Sequence, residues 1–183
     1  MDTFFTSDTE QTRKLGEMLA KELCGGPARN ASLASASSRS DAGGEVICLT
    51  GELGSGKTTF AQGVLRGLGV KGPWTSPTFL VVKHYKKEIP NPKSQIPNKS
   101  KISKSKIQNI YHIDCYRVKA QDILDLGWKE IIAGKNNIVI VEWAKRIRKI
   151  IPEKSIWVSF EHVNKNKRKI FIGNEVIGSG TGH

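Results

Sequence analysis

Residues 51–58 read Gly-Glu-Leu-Gly-Ser-Gly-Lys-Thr, and this stretch decides the fold. It fits the pattern G-x-x-x-x-G-K-[ST], which is typical of a phosphate-binding loop, the P-loop. The apolar run Glu45–Thr50 precedes it, is rich in β-branched residues and predicts a buried strand. Apolar residues at helical spacing follow it and predict a helix over Lys57–Leu68. Strand, glycine loop and helix form the context that this motif requires.

The residue types of the loop suit phosphate chemistry. Gly51, Gly54 and Gly56 allow the backbone N–H groups to turn inward and approach phosphate oxygens closely. The helix N-terminus adds unpaired N–H groups and a partial positive charge. Lys57 has the reach to contact β- and γ-phosphates, and the Thr58 hydroxyl suits Mg²⁺. The alternative is a glycine-rich turn that binds nothing, which the complete spacing and both flanks disfavour.

Length and composition limit the class of protein. A chain of 183 residues predicts one domain, over residues 1–177, followed by a flexible tail over 178–183. We expect no targeting segment and no membrane contact, because the acidic start is followed by no apolar run of sufficient length. Cys24, Cys48 and Cys115 form no zinc pattern, so a reducing cytoplasm is the expected location.

The formal net charge of +12 is unevenly distributed. Residues 83–109 contain eight lysines and one acidic residue, so this stretch alone carries +7. Lysine-rich polar runs are usually solvated loops. We therefore interpret residues 86–109 as a disordered insertion, with direct nucleic-acid contact by this segment as the less favoured alternative.

Patterns elsewhere predict an α/β fold. A capping box at Ser7–Glu10 starts a helix over Thr9–Leu23, and the Ala/Ser-rich residues 25–44 predict a flexible linker. Further strands are predicted over 78–85, 110–114, 138–142, 155–161 and 168–172, with helices over 120–126 and 144–150 and a turn over 128–132. Helices between strands, together with a late hairpin, predict a P-loop NTPase-like three-layer sandwich with a mixed β-sheet flanked by helices.

Two acidic residues that end strands are candidates for the second half of a P-loop site. Glu142 follows the apolar run Ile138–Val141 and is the better candidate to hold Mg²⁺ or orient water, whereas Asp114 follows a strand that His112 interrupts. Ligands of open α/β sheets bind at the C-terminal ends of strands, so both acids are expected at one site. A solvent-facing strand end is the alternative for each. The hydroxyls of Thr75–Thr78 fit a γ-phosphate-sensing loop and an ordinary turn equally well.

Five motifs, in this order along the chain, closely resemble the bacterial TsaE (YjeE) family of small P-loop ATPases. They are the P-loop 51–59, Ser76-Pro77-Thr78-Phe79, Tyr111–Arg117 (YHIDCYR), Leu126-Gly127 and Val141-Glu142-Trp143. The resemblance covers most of the chain and skips the Ala/Ser linker and the lysine-rich insertion. Their combination is far more specific than the P-loop alone.

The resemblance implies roles for particular residues. Thr58 and Glu142 would hold Mg²⁺, Asp114 would be an essential acid near the γ-phosphate, and Trp143 beside Glu142 would lie near the site. The region around Thr9 would lie near the adenine, and the late hairpin at Asn166 would close over the nucleotide. The phosphates would be wrapped by Gly54, Ser55, Gly56, Lys57, Thr58 and Thr59.

The resemblance also implies a function. The chain would bind and hydrolyse ATP with Mg²⁺ to support synthesis of N6-threonylcarbamoyladenosine at position 37 of tRNAs. It would assist a two-protein transferase, TsaB with TsaD, and would contact tRNA only indirectly through that complex. ATP would order Ser76–Thr78 and the partner surface, and hydrolysis would release them.

A small-molecule or nucleotide kinase is the principal alternative. Such an enzyme needs a second substrate pocket and a lid, for which this chain leaves little sequence. Trp74, Trp128 and Trp143 could line a pocket, although buried tryptophans are more often core residues. A signalling GTPase would need an N-K-x-D motif, and Asn98–Lys101 lacks the acid.

Overall fold

The structure is a computed structural model that describes residues 2–24, 43–89 and 106–174. These residues form seven strands, four α-helices and one 3₁₀ helix. In chain order they are β1 (Asp2–Thr6), α1 (Thr9–Leu23), β2 (Glu45–Gly51), α2 (Lys57–Gly67), β3 (Val82–Ile89), β4 (Lys106–Asp114), α3 (Ala120–Asp125), α4 (Trp128–Ala133), β5 (Asn137–Glu142), the 3₁₀ helix (Ala144–Ile150), β6 (Ile156–His162) and β7 (Arg168–Asn174).

The strands form one mixed sheet in the order β1-β7-β6-β2-β5-β4-β3. β2 lies between β5 and β6 and is parallel to both, and β4 is parallel to β5. β3 pairs antiparallel with β4, and β7 pairs antiparallel with both β6 and β1. Because β2, β4 and β5 run in the same direction, their C-terminal ends meet at one edge of the sheet, where ligands of such folds bind.

Side chains of the central strand β2 alternate between two apolar cores. Ile47 and Leu49 pack on one face with α1 and α2, whereas Val46 and Cys48 pack on the other face with α3, α4 and the 3₁₀ helix. Every residue of β5 is buried as well. Strands covered on both faces have continuous apolar sequences. The predicted three-layer α/β fold with a mixed sheet is therefore confirmed.

Glycines allow α1 and α2 to pack closely. A Cβ atom at Gly63 would lie 1.9 Å from the carbonyl oxygen of Arg13, and one at Gly16 would lie 2.3 Å from that of Phe60. Neither position has room for a side chain. The close packing brings the N-terminal turn of α1 beside the P-loop, where the Thr12 methyl lies 3.6 Å from the position of a Cβ on Gly56.

The structure corrects the boundaries predicted for the lysine-rich region. β3 covers Val82–Ile89 instead of 78–85, and β4 begins at Lys106 instead of residue 110. Residues 86–89 and 106–109 therefore pair as strands and are not part of an insertion, while residues 90–105 lie outside the described residues. Composition was misleading because β3 is an edge strand. Its backbone pairs with β4, while charged side chains such as Lys86 and Glu88 stay exposed to water.

The start of α1 also differs from the prediction. The N-cap is Asp8, whose side chain accepts from the N–H of Gln11 at 2.7 Å, while the Gln11 side chain accepts from the N–H of Ser7 at 2.9 Å. The capping interaction is therefore displaced from Ser7–Glu10. The chain before it forms β1, which the sequence analysis did not predict. The predicted helix over 144–150 is a 3₁₀ helix.

The predicted linker ends inside the fold. The N–H of Gly44 donates to the carbonyl oxygen of Ile132 at 2.8 Å, so the last residues of the 25–44 segment contact α4. Residues 25–42 and the predicted tail 178–183 lie outside the described residues. The assignment of residues 1–177 to a single domain stays a prediction.

Candidate functional site

The P-loop connects β2 to α2 and has a backbone conformation that depends on its glycines. Gly51, Gly54 and Gly56 have φ values of 140°, 72° and 104°, which lie in the region that favours glycine. Gly56 is the N-cap of α2 and has no side chain to cap it. The unpaired N–H groups of the first helical turn are therefore available to an anion at this loop.

The side chain of Lys57 folds over its own loop. Its Nζ donates to the carbonyl oxygens of Gly51 at 2.8 Å and Glu52 at 2.7 Å, and lies 3.9 Å from the centroid of the Trp143 ring. Burial lowers the pKa of Lys57, and the carboxylates at the ends of β4 and β5 oppose that shift. An ammonium group in this setting gains from a negatively charged partner such as a phosphate.

Glu142 ends β5 with both carboxylate oxygens in hydrogen bonds. The Thr58 hydroxyl donates to Oε2 at 2.7 Å, and His112 Nε2 contacts Oε1 at 2.8 Å. The side chains of Glu142 and His112 are buried. A carboxylate removed from water needs such partners. The bond to Thr58 joins the end of β5 to the start of the P-loop helix.

Asp114 ends β4 directly beside Glu142 in the register of the two strands. Its Oδ2 accepts from the hydroxyls of Thr78 at 2.5 Å and Ser76 at 3.3 Å, and its Oδ1 accepts from the N–H of Tyr116 at 2.9 Å. The loop before β3 is therefore bound to the end of β4. The two hydroxyls of this loop lie at the site and not in a distant turn.

The same loop exposes two large apolar side chains, which we call the Phe79–Leu80 tip. Phe79 is 84% exposed and Leu80 is 67% exposed. The next residue, Val81, has a φ of 64°, which is uncommon for a β-branched residue. The Arg117 guanidinium lies 5.3 Å from the centroid of the Phe79 ring. Two adjacent exposed apolar side chains make the tip a candidate surface for another molecule.

Two cavities meet at the P-loop. One has a volume of about 260 Å³ and contains the acids, the lysine and the tryptophan. The other has a volume of about 390 Å³ and lies between the first turn of α1 and the β6–β7 hairpin. The first is lined by Leu53, Gly54, Gly56, Lys57, Thr58, Thr59, Thr78, Asp114, Tyr116, Glu142 and Trp143, and the second by Ser7, Asp8, Thr9, Gly54, Gly56, Thr59, Lys165, Asn166 and Arg168.

The family model described as threonylcarbamoyl adenosine biosynthesis protein TsaE matches residues 6–170. The chain belongs to the TsaE family. It is 33% identical over 153 residues to the tRNA threonylcarbamoyladenosine biosynthesis protein TsaE of a Nostoc species, with 80% of this chain and 70% of that protein covered. It is 32% identical over 127 residues to the protein of the same name from Bacillus subtilis, with 69% and 68% covered.

A solved structure agrees with this fold. The crystal structure of Bacillus subtilis YdiB superposes on the chain with a TM-score of 0.57 at 21% identity, covering 95% of this chain and 86% of that one. At that identity the likeness concerns the fold alone. Membership of the TsaE family, which the five motifs predicted, is confirmed by the family model and the related sequences.

Within this TsaE-family chain, the residues predicted for the site lie together. The first cavity contains the predicted acids Asp114 and Glu142, and the second contains Thr9 and Asn166. Ser55 is fully buried behind the loop, with its hydroxyl 3.4 Å from Lys57 Nζ. The structure shows that these residues lie close together. Their roles stay predictions.

Sequence reasoning missed two features of the site. His112 was noted only as an interruption of a strand, yet it contacts Glu142. Arg168 lines the second cavity and donates to the carbonyl oxygen of Gly54 at 3.4 Å. Side chains alternate between the two faces of β4, so His112 lies on the same face as Asp114, and this was a signal for His112. No local signal marked Arg168.

The site has few acidic or histidine ligands for a metal. Across residues 2–24, 43–89 and 106–174, no group of three or more His, Cys, Asp or Glu side chains is arranged to hold a metal ion. Mg²⁺ is usually held by one or two protein oxygens, with waters and substrate phosphates completing the shell. The oxygens of Thr58 and Glu142, 2.7 Å apart, fit that pattern.

In the same described ranges, no helix is long and apolar enough to cross a membrane.

Proposed function

We propose that this chain is a Mg²⁺-dependent ATPase that supports the transferase complex making N6-threonylcarbamoyladenosine at position 37 of tRNAs. The observation that carries the proposal is the meeting of a complete P-loop with two strand-end acids in one cavity. Lys57, Thr58, Asp114 and Glu142 all line that cavity, which is the set of groups that P-loop NTPases use. Relatives named for threonylcarbamoyladenosine biosynthesis support the pathway.

The P-loop is proposed to bind the phosphates of ATP. The N–H groups from Gly54 to Thr59 would donate to phosphate oxygens, and Lys57 would exchange its two carbonyl contacts for the β- and γ-phosphates. Charge-assisted bonds to phosphate are stronger than the neutral-acceptor bonds that Lys57 now makes. Movement of the buried Lys57 ammonium group toward the phosphates of the nucleotide is therefore favourable in free energy.

Thr58 and Glu142 are the residues proposed to hold Mg²⁺. Both supply oxygen, the ligand type that Mg²⁺ prefers, and their oxygens already face each other. When bound, Mg²⁺ neutralises the charge that develops on the β- and γ-phosphate oxygens. Glu142 is also a candidate to orient the attacking water, and Asp114, beside it in the sheet, is the other candidate.

The second cavity is proposed to accept the adenosine part of the nucleotide. It opens from the P-loop at Gly54 and runs between Thr9 on α1 and Asn166 on the β6–β7 hairpin. Because it shares Gly54, Gly56 and Thr59 with the first cavity, one nucleotide can reach both. Its volume of about 390 Å³ is within the range usual for small-molecule sites.

Asp114 is proposed to couple the nucleotide to a protein partner. It binds the hydroxyls of Ser76 and Thr78, and the Phe79–Leu80 tip follows at once in the chain. A γ-phosphate that competes for these hydroxyls would move the tip, as in other switch loops. We infer that the tip docks on a transferase pair of the TsaB–TsaD type, and that tRNA is contacted only through that complex. A cytoplasmic location stays part of this proposal.

The tryptophans considered for a kinase pocket have other contacts within the described part of the chain. Two of the tryptophans considered for a substrate pocket have packing roles instead, since Trp128 donates to Ile150 O at 2.8 Å and Trp74 donates to Val70 O at 3.1 Å. Trp128 is 1% exposed. Only Trp143 lines the first cavity, where it faces Lys57.

The test is ATP hydrolysis by the purified protein, alone and with the TsaB–TsaD pair from the same source. Weak hydrolysis that needs Mg²⁺ and rises when the pair is added supports the proposal. The matched control is Lys57→Ala, which is expected to hydrolyse nothing in either setting. Hydrolysis that the pair does not change, or phosphate passed to a small acceptor, would favour the kinase and overturn the proposed role.

A further inference from the structure

His112 is a buried polar residue within an otherwise apolar part of β4. Its side chain is 1% exposed, and it lies between Ile110 and Asp114 on the same face of the strand. Its Nε2 lies 2.8 Å from Oε1 of Glu142 on the neighbouring strand. Its Nδ1 is buried and has no hydrogen-bond partner within the described part of the chain.

The position of the ring hydrogen follows from the partner. A carboxylate only accepts hydrogen bonds, so Nε2 donates to Glu142 and carries the hydrogen. Nδ1 is buried without a hydrogen-bond partner, which costs free energy that an apolar residue at this position would not. Packing alone would therefore favour an apolar side chain over the imidazole at this position. The contact that the imidazole does make holds one oxygen of Glu142.

The second oxygen of Glu142 is directed elsewhere. Oε2 accepts from Thr58 Oγ1 at 2.7 Å, at the proposed Mg²⁺ position. The carboxylate is thus held between two donors on different elements, one from β4 and one from α2. Because Oε1 is directed at His112, Oε2 is the oxygen of Glu142 that faces the proposed metal position.

We propose that His112 is a positioning residue that makes Glu142 a one-oxygen ligand and so favours Mg²⁺ over Ca²⁺. Mg²⁺ is small and demands near-octahedral geometry, whereas Ca²⁺ accepts six to eight oxygens and commonly takes both oxygens of a carboxylate. Outer partners of metal ligands typically change metal affinity 10–100-fold when removed. The inference rests on the proposed role of Glu142 in holding Mg²⁺.

The test compares two amide variants, His112→Gln and His112→Asn. The Gln amide nitrogen reaches as far as Nε2 and can donate to Glu142, whereas the Asn amide nitrogen is one bond shorter and cannot. The measurement is ADP affinity with Mg²⁺, with Ca²⁺ and with EDTA, which needs no turnover. For His112→Asn, we expect the increase in ADP affinity that Mg²⁺ produces to be about tenfold smaller than in the wild-type protein. We also expect this variant to lose the preference for Mg²⁺ over Ca²⁺. We expect His112→Gln to keep both, and ADP affinity in EDTA to be the same for all three proteins.

A merely structural role would produce a different pattern. If His112→Asn kept the wild-type Mg²⁺-dependent gain and the Mg²⁺ preference, or if both variants lost ADP affinity equally in EDTA, the proposal would be wrong. The metal-free wild-type protein gives an independent readout, because ¹⁵N NMR of the imidazole distinguishes the tautomers. An Nε2 that carries no hydrogen would also overturn the proposal. If His112→Asn altered the metal preference but the wild-type protein hydrolysed no ATP, the proposed ATPase function would be wrong and the proposed role of His112 would stand.

Discussion

The ammonium group of Lys57 lies 3.9 Å from the centroid of the Trp143 ring, and Trp143 holds this position with a left-handed backbone, φ 59°. An aromatic residue in this conformation is uncommon. Trp143 is the N-cap of the 3₁₀ helix, and its ring tilts against Tyr116 at a centroid distance of 4.9 Å. The contact attracts the cation electrostatically and partly offsets its burial before any phosphate is bound.

Nucleotide binding is expected to change the fluorescence of Trp143. If Lys57 turns toward phosphates, the cation leaves the indole ring, whose emission responds to a nearby charge. The measurement is a titration of the protein with ATP and Mg²⁺, followed by tryptophan emission. Trp143→Phe serves as the control because Trp74, Trp128 and Trp157 remain and should not respond. An equal response in Trp143→Phe would show that the signal comes from elsewhere.

Lys57→Ala is expected to weaken nucleotide binding and to abolish function in a protein that stays folded. The side chain is buried and contacts loop carbonyls, the Ser55 hydroxyl and a ring, so its removal deletes a desolvated cation and leaves the apolar cores intact. Loss of charge-assisted bonds worth about 1.5–3 kcal/mol corresponds to roughly 10–100-fold in ATP affinity. Calorimetry of binding and a thermal unfolding scan measure the two effects separately. Normal support of tRNA modification by this variant would refute the switch mechanism.

Glu142→Ala is expected to retain the metal-independent part of nucleotide binding and to lose hydrolysis. The phosphate contacts come from the loop and Lys57, whereas Glu142 faces Thr58 at the proposed metal position. The comparison is Asp114→Asn, which keeps the shape of the other strand-end side chain. Both are assayed for ATP affinity and for the rate of phosphate release. Unchanged turnover in Glu142→Ala would transfer the catalytic role to Asp114.

Much of the fold was predictable because the central strands have distinctive sequences. Strands buried on both faces, such as β5, are continuous apolar runs, and the P-loop fixes the strand and helix on either side of it. The edge of the sheet was harder to predict. β3 contains Lys83, Lys86 and Lys87, so its sequence resembles a solvated loop, and only pairing with β4 makes it a strand.

The residues of the candidate site divide in the same way into those that the sequence predicted and those that it did not. Residues with a motif or a strand end, such as Asp114 and Glu142, were predicted because their positions follow from the topology of a parallel sheet. His112 and Arg168 were not predicted, since their contacts with Glu142 and Gly54 depend on side-chain geometry across separate elements. The alternation of β4 places His112 on the face of Asp114, whereas no local signal marks Arg168.

The three cysteines are expected to differ in reactivity. Cys24 is exposed, whereas Cys48 and Cys115 are buried. Burial raises the pKa of Cys115 to about 12, and the adjacent Asp114 contributes to the shift. A raised pKa keeps the thiol protonated, so at pH 8 only about 10⁻⁴ of Cys115 is the reactive thiolate. Iodoacetamide labelling followed by peptide mass spectrometry should modify Cys24 first in the native protein.

The control for the thiol experiment is Cys24→Ser, which should take up label slowly until the protein is unfolded. Denaturant should then expose Cys48 and Cys115 equally. Rapid labelling of Cys115 in the native protein would mean that the end of β4 opens readily, contrary to its complete burial.

The Phe79–Leu80 tip is expected to matter for the partner and not for basal turnover. Phe79→Ser and Leu80→Ser replace side chains that are 84% and 67% exposed, so stability should change by less than about 0.5 kcal/mol. Aromatic residues at the centre of an interface often contribute about 2 kcal/mol or more, which predicts at least a roughly tenfold weaker response to the TsaB–TsaD pair for Phe79→Ser. The measurement is ATP hydrolysis as a function of pair concentration.

Met18→Ser is the matched control, because Met18 is an exposed apolar residue of α1, 39% accessible, on a different element. It should respond to the pair as the wild-type chain does. A tip variant that lost basal hydrolysis together with stimulation would indicate that the tip acts on the Ser76 and Thr78 contacts with Asp114 and not on a partner. Full stimulation of both tip variants would move the docking surface to another part of the chain. Because the tip and the hydroxyl contacts belong to one short loop, only this separation of basal from stimulated rates distinguishes docking from catalysis.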